Sequence, residues 1–194
     1  MLLWINGAFG SGKTTAAYEL KARYPHLHVL DPEEIGFTQR RLLPPDLRGG
    51  DFQDQPLWRA WVYDLLEVAS RSSHPVIVPM TLVNPEYFSQ IVERLRSSGL
   101  DVRHVTLMAS RATLLKRLAR RRDGPNSWPA QQIERCVSAL EQPEFANHLD
   151  TDALTFDEVV EAMAREVGLE GGANYPRWQR PLRHLWTSVQ HIRR

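Results

Sequence analysis

The sequence predicts an α/β fold in which five parallel strands form one sheet with helices on both faces. Short apolar runs bounded by Gly, Pro, Asn or Asp alternate along the chain with segments whose apolar residues recur at helical spacing, and this alternation is typical of a parallel sheet. The 194 residues, 42% hydrophobic and 24% charged, are enough for one core of ordinary composition. One domain over residues 1–170 is therefore expected.

Each predicted strand is a short apolar run that ends in turn-forming residues. The runs are LLWIN (2–6), LHVLD (27–31), VIVPM (76–80), VRHVTLM (102–108) and the short NHLDT (147–151). Trp4 lies in the first run and is expected to pack in the core.

The helices between these strands are predicted from apolar periodicity and from residues that favour helix ends. One helix is expected over 13–23, and another is expected to end at Gly168. Helix starts are indicated at Asn84 followed by Pro85, at Ser110, and at Thr155 with Glu158, which have the spacing of a capping box.

Charge and cysteine content exclude several classes of protein. The formal net charge of +1, and the lack of an aromatic platform interleaved with the basic residues of 114–124, argue against a nucleic-acid partner. The single cysteine, Cys136, excludes a disulfide framework and is expected to be a packing residue. Without a signal sequence or an apolar run of about 20 residues, the protein is expected in the cytoplasm.

Residues 7–14, GAFGSGKT, match the pattern G-x-x-x-x-G-K-[ST] at every fixed position and lie between a predicted strand and a predicted helix. Glycines allow the backbone to curl so that several N–H groups meet one phosphate chain. The helix after the loop directs its partial positive charge at the same anion. This segment, called the P-loop below, predicts a nucleotide site.

ATP and Mg²⁺ are the expected cofactors of the P-loop. Lys13 is expected to reach the β- and γ-phosphates, and the Thr14 hydroxyl to coordinate Mg²⁺. The predicted nucleotide-binding residues are Gly7, Ala8, Phe9, Gly10, Ser11, Gly12, Lys13, Thr14 and Thr15.

Asp31 ends the second predicted strand and should lie at the carboxyl edge of the sheet, where ligands bind in open α/β folds. There it is expected to orient or deprotonate a substrate hydroxyl near the γ-phosphate. Two alternatives remain, a turn former before Pro32 and an indirect Mg²⁺ ligand. The third strand is not followed by an acid, so Mg²⁺ binding depends on Thr14, the phosphates and, in the second alternative, Asp31.

Basic residues are concentrated in LLKRLARRRDG (114–124), before the loop DGPNSW. Residues 117–128 are predicted to form a lid. Arg117 and Arg121, one helical turn apart, are expected to stabilise the phosphoryl group during transfer. The alternative is a solvated basic helix face.

Residues 36–66 lie between the second and third strands and are rich in aromatic residues, which predicts a substrate-binding insertion. The alternative for its tryptophans is packing of a helix against the sheet. The predicted substrate-binding residues are Phe37, Phe52, Gln53, Asp54, Trp58, Arg59 and Met80.

Residues 171–194 change in composition and are predicted to form a linker and a basic amphipathic helix. This helix either docks on the domain or makes peripheral contact with the inner face of the cell membrane. The oligomeric state cannot be predicted from the sequence.

The chain resembles the tunicamycin-resistance ATP-binding proteins of bacteria, a branch of the P-loop small-molecule kinases. The resemblance rests on WINGAFGSGKT, DPEEIGF, DFQDQPLWRA, VIVPMTLVNPEYF, TLMASRATLLKRL, NSWPAQQIERC and the terminal HIR. It implies a fold like that of adenylate, shikimate and chloramphenicol kinases, a substrate-facing acid at Asp31, and resistance to a uridine-containing, fatty-acylated antibiotic. It also implies membrane association through the tail.

Three functions are compatible with these residues. The first is a kinase that phosphorylates a hydroxyl of tunicamycin or of a related small molecule. The second is a protein that binds and sequesters the antibiotic in an ATP-dependent way without catalysis, and the missing acid after the third strand motivates it. The third is a kinase for an unidentified metabolite.

Overall fold

The computed structural model describes residues 1–121 and 123–169. Five strands form one sheet in the order β2-β3-β1-β4-β5, and every pair is parallel. The strands are β1 (Leu2–Gly7), β2 (His28–Val29), β3 (Val76–Pro79), β4 (Val102–Met108) and β5 (His148–Asp150). This confirms the predicted fold class. The predicted tail helix in 171–194 lies outside the described residues.

The helices alternate with the strands in the way that the sequence predicts. They are α1 (Lys13–Arg23), α2 (Pro32–Leu42), α3 (Pro56–Ser70), α4 (Pro85–Phe88), α5 (Arg94–Ser97), α6 (Arg111–Arg120), α7 (Trp128–Leu140) and α8 (Phe156–Glu166). A π-helical turn, Ser89–Glu93, joins α4 to α5. Short 3₁₀ turns occupy Pro45–Leu47, Phe52–Asp54 and Pro143–Phe145. No helix within the described ranges is long and apolar enough to span a bilayer.

The predicted caps are confirmed. The Asn84 side chain accepts hydrogen bonds from the first backbone N–H groups of α4, and Ser110 does the same for α6. Thr155 and Glu158 form the reciprocal capping box of α8. These side chains satisfy N–H groups that a helix start otherwise leaves unpaired.

The core lies on both faces of the sheet because its central strand has helices on either side. All six residues of β1 are buried. Leu2 and Trp4 pack with α3 and with the α4–α5 segment, whereas Leu3 and Ile5 pack with α1 and α8 on the opposite face. A central parallel strand therefore reads as an uninterrupted apolar run, which is why β1 was predictable.

The second strand is shorter than the predicted 27–31. Only His28 and Val29 are in β2, although Leu30 still donates its N–H to the Ile77 carbonyl. The strand ends because Asp31 is the N-cap of α2 and Pro32 is its first residue. Proline has no backbone N–H to donate to a neighbouring strand, and its fixed φ suits the first turn of a helix.

Candidate functional site

The P-loop joins β1 to α1 with three glycines at positive φ, namely Gly7 (φ 145°), Gly10 (φ 85°) and Gly12 (φ 98°). A Cβ on Gly7 would lie 2.6 Å from the Ser11 Oγ and 2.8 Å from the Leu107 carbonyl oxygen. Gly12 is the N-cap of α1, and no side chain caps that helix start. The first N–H groups of α1 are therefore available to an anion.

Lys13 is buried at the start of α1, and its Nζ donates to the Gly7 carbonyl at 2.8 Å and to the Ala8 carbonyl at 3.0 Å. Burial lowers the pKa of Lys13 to about 7, and the positive charge of Arg121 also lowers it. The charges of Cys136 and Asp31 act in the opposite direction. A bound polyanion would restore the protonated form, because an adjacent negative charge favours a cation.

The residues of the P-loop fit a polyphosphate. The hydroxyl of Ser11 is buried and has no hydrogen-bond partner in the part of the chain that the structure describes. A buried hydroxyl without a partner is rare, and here it lies in a loop with an uncapped helix start and a buried lysine. Within the same residues, no group of three or more His, Cys, Asp or Glu side chains is placed to hold a metal. Binding of Mg²⁺ by Thr14 with the phosphates, or also by Asp31, remains a prediction.

Nucleotide binding at pH 8 is expected to take up a proton. Lys13, with a pKa of about 7, is mostly neutral at pH 8 without a ligand, and the phosphates should raise its pKa. Calorimetric titration with Mg·ATP in buffers of different ionisation enthalpy measures this uptake, which should approach one proton per site. At pH 6 the uptake should vanish, since Lys13 is already charged. An enthalpy independent of the buffer at pH 8 would contradict the expectation.

Asn6 and Thr81 connect the P-loop to the segment after β3. The Asn6 side chain is fully buried, and its Oδ1 accepts from the Gly7 N–H at 2.9 Å and from the Leu82 N–H at 3.0 Å. Thr81 Oγ1 donates to the Gly7 carbonyl at 2.9 Å. Asn6 was not predicted as a site residue. The available signal was a polar residue at the end of an otherwise apolar strand, where its amide has backbone groups to bind.

Asp31 lies at the carboxyl edge of the sheet, as its place in the sequence implies. It is 9% exposed, and its Oδ1 accepts from the Glu33 N–H at 3.0 Å, which makes it the N-cap of α2. Its negative charge raises the pKa of Lys13. Asp31 thus combines a capping role with electrostatic interaction across to the P-loop.

Arg117 connects α6 to the P-loop and to the loop after β5. Its Nη1 donates to Thr151 Oγ1 at 3.0 Å and its Nη2 to the Thr151 carbonyl at 2.9 Å. A longer bond of 3.4 Å reaches the Ser11 carbonyl. Burial lowers the pKa of Arg117 from its ordinary value. The guanidinium of Arg117 therefore links the backbone of the P-loop at Ser11 to Thr151.

Arg121 lies just after α6 and approaches the start of α1. Its Nη2 donates to Thr15 Oγ1 at 3.4 Å, and its charge contributes to the lowered pKa of Lys13. Of the two predicted arginines, Arg117 therefore contacts the P-loop itself, and Arg121 contacts Thr15 directly after it. A phosphate role remains a prediction for each.

A cavity of about 720 Å³ lies beside the P-loop at the carboxyl edge of the sheet. Five of the predicted substrate-binding residues line it, namely Phe37, Phe52, Gln53, Asp54 and Met80. The lining also includes residues that were not predicted to bind a substrate, among them Glu33 and Arg40 of α2 and Trp128, Gln132 and Arg135 of α7. Phe9, predicted only for the nucleotide, lines the cavity as well.

Trp58 and Arg59 do not line this cavity. Trp58 is fully buried, its Nε1 donates to the Pro32 carbonyl at 3.0 Å, and its ring packs against Phe52 at 5.4 Å between centroids. This agrees with the packing alternative. Arg59 stacks over the Tyr87 ring at 4.2 Å and donates to the Gln53 carbonyl. Both residues support the turn Phe52–Asp54 from behind.

The turn Phe52–Asp54 packs closely against α2 and forms part of the cavity wall with it. A Cβ on Gly36 would lie 2.5 Å from the ring of Phe52, so only glycine permits the ring to pack on α2. Gln53 is fixed in turn, since its Nε2 donates to the Thr81 carbonyl at 3.1 Å. Thr81 is thus hydrogen-bonded both to Gln53 in the cavity wall and to Gly7 in the P-loop.

Comparisons with known proteins agree with the P-loop kinase-like fold. A family model described as an AAA domain matches residues 2–143. The tunicamycin resistance protein of Deinococcus radiodurans is 36% identical over 90% of this chain and 98% of its own, with a TM-score of 0.76. A search of the curated proteins found no match.

More distant structures share the fold alone. A gluconokinase from Sinorhizobium meliloti is 19% identical over 85% of this chain and 90% of its own, with a TM-score of 0.60. A shikimate kinase from Aquifex aeolicus is 17% identical over 86% of this chain and 96% of its own, with a TM-score of 0.55. The fold is thus that of P-loop small-molecule kinases. The chain belongs to the AAA-domain family and, within it, to the branch that includes the tunicamycin resistance protein of Deinococcus radiodurans.

Proposed function

We propose that the protein is an ATP-dependent phosphotransferase that phosphorylates a hydroxyl of tunicamycin or of a related small molecule. The observation that carries this proposal is the meeting of three features at one sheet edge, namely the P-loop with its buried Lys13, the carboxylate of Asp31, and the cavity of about 720 Å³. The relationship to a tunicamycin resistance protein supports the choice of drug.

Each residue has a definite part in the proposed transfer. Bound Mg·ATP supplies the phosphoryl group and the metal charge that P-loop kinases generally use. Asp31 orients the acceptor hydroxyl and takes its proton as the oxygen–phosphorus bond forms. Lys13 becomes protonated when the polyphosphate arrives and, with Arg121, balances the negative charge of the transfer. The predicted lid, residues 117–128, would exclude water from the reaction.

ATP-dependent sequestration of the antibiotic is the second candidate. It is favoured by the segment after β3, where Thr81 donates to the Gly7 carbonyl and the described residues 80–85 include no acid. Many P-loop enzymes hold Mg²⁺ through water at such an acid. Weak metal binding would allow the nucleotide to close the cavity without efficient transfer.

Mass spectrometry of the drug separates the two candidates. Tunicamycin incubated with the protein and Mg·ATP should gain the mass of one phosphoryl group, with one ADP formed per modified molecule and many turnovers per protein. Samples without ATP, and samples with Asp31→Asn, are the controls. Protection that stops at one drug molecule per protein, without ADP, would support sequestration. ATP binding without modification of tunicamycin or of a panel of nucleosides and sugars would refute the kinase proposal.

A further inference from the structure

Phe9 and Trp128 form an aromatic pair at the mouth of the cavity. Their rings meet edge to face, with centroids 5.1 Å apart and an interplanar angle of 73°. Trp128 is nevertheless 55% exposed. A large aromatic side chain that is more than half exposed on the wall of a cavity is available for a ligand to cover.

A second aromatic pair lines the same cavity. Phe37 and Phe52 have their centroids 6.0 Å apart at 75°, and the buried Trp58 supports Phe52 from behind. The two aromatic walls come from different parts of the chain, one from the P-loop and α7 and the other from α2 and the turn after it. A flat ring in the cavity therefore has aromatic side chains from both segments to contact.

Polar groups suited to the edge of such a ring lie on both walls. Gln132 is one helical turn after Trp128 and lines the cavity, and its side chain makes no hydrogen bond within the described residues. Gln53 uses its Nε2 to bind the Thr81 carbonyl, so its Oε1 stays available as an acceptor. A glutamine amide presents a donor NH₂ group and an acceptor carbonyl oxygen side by side, which complements an amide or imide edge of a nucleobase.

We propose that Phe9 and Trp128 form a stacking platform for a planar heteroaromatic ring of the acceptor, so that the protein selects acceptors carrying a nucleobase-type ring over simple sugars. The inference rests on the proposed function in one respect, that the cavity is the acceptor site. Phe9 also belongs to the P-loop, and the Lys13 Nζ lies 5.9 Å from its ring centroid. A ring stacked on this platform is therefore held next to the group that binds the phosphates.

Tryptophan fluorescence of the full chain tests the platform without turnover. Uridine, N-acetylglucosamine and ADP are titrated separately into the wild type, into Trp128→Phe and into Trp61→Phe. Trp61 is a half-buried tryptophan of α3 that does not line the cavity, so its variant is the matched control. Uridine should change the fluorescence of the wild type and of Trp61→Phe, and this change should be lost in Trp128→Phe. N-acetylglucosamine and ADP should cause little change.

Calorimetry with Trp128→Ala provides a second measurement. Loss of one stacking partner should weaken uridine binding by roughly 10- to 100-fold, the range found for base–aromatic stacking. Trp128→Phe keeps a ring and should recover most of this loss. ATP affinity should fall much less than uridine affinity in the alanine variant.

Three results would overturn the inference. If ADP changes the Trp128 signal as much as uridine does, the pair belongs to the nucleotide site. An equal response to N-acetylglucosamine means that no aromatic ring is required. If the protein phosphorylates an acceptor while uridine binding is insensitive to Trp128→Ala, the platform is wrong and the proposed function stands. Conversely, a Trp128-dependent uridine response in a protein that transfers no phosphoryl group supports the platform and removes the kinase proposal.

Discussion

Replacing Lys13 with methionine is expected to abolish nucleotide binding and at the same time to stabilise the nucleotide-free protein. The binding loss, expected to exceed about 100-fold, results from removal of the one ammonium group that the P-loop directs at the phosphates. The gain in stability results from burial, which lowers the pKa of Lys13 from 10.5 to about 7. The charged form therefore costs folding free energy, on the order of a few kcal/mol, and methionine removes that cost.

The contribution of Lys13 to the free energy of unfolding depends on pH, and the sign of this dependence follows from the lowered pKa. Between about pH 7 and 10 the unfolded chain holds the Lys13 proton and the folded chain does not, so the free energy of unfolding from this group rises with pH. Below about pH 7 both forms are protonated and the contribution is constant. The free energy of unfolding of Lys13→Met should not show this rise with pH.

Thermal unfolding at pH 7 and at pH 9, with and without Mg·ATP, measures both effects of Lys13→Met. The variant should melt higher than the wild type at pH 7 without nucleotide and should gain nothing from Mg·ATP. Lys21→Met is the matched control, because Lys21 is an exposed lysine of the same helix. A variant that melts lower than the wild type, or that Mg·ATP still stabilises, would contradict the assigned role of Lys13.

Asp31→Asn is expected to lower kcat by roughly 10²- to 10⁴-fold while the fold and ATP binding are retained. Asparagine caps a helix about as well as aspartate, so the bond to the Glu33 N–H at the start of α2 can persist. The amide cannot accept a proton from an acceptor hydroxyl. The substitution thus separates the proposed chemical role of Asp31 from its capping role.

Steady-state kinetics and calorimetry, with Asp31→Ala and Asp46→Asn for comparison, test this second prediction. Asp31→Ala loses the cap as well and should cost about 1 kcal/mol of stability in addition to activity. Asp46→Asn removes an exposed carboxylate at the turn Pro45–Leu47 and should match the wild type. Turnover of Asp31→Asn within about threefold of the wild type would leave Asp31 as a cap alone.

The sheet and the P-loop were predictable because their signals are local. An apolar run, a cap or a glycine pattern is encoded within a few neighbouring residues, and the short-range physics that it reflects acts in any context. The bounds of α1 and β4 agree with the predicted 13–23 and 102–108 for this reason. The end of β2 was harder, since the strand gives way to the cap of α2 within two residues.

The walls of the cavity were only partly predictable because they depend on contacts between distant segments. Trp58 and Phe52 are both aromatic residues of the predicted insertion, yet Trp58 faces the core and Phe52 the cavity. No period in the sequence distinguishes the two. Trp128 was predicted only as part of a lid. It pairs with Phe9 of the P-loop, and the two residues are far apart in the sequence.

The central position of β1 has a consequence for how the chain is made. Leu2 pairs with Val76 on one side and with Val102 on the other. During synthesis β1 therefore leaves the ribosome before both of its partners, and its edges stay unpaired until β3 and then β4 have emerged. Non-local pairing of this kind folds slowly and exposes strand edges to aggregation. The yield of folded protein should therefore depend on how fast residues 76–108 are translated.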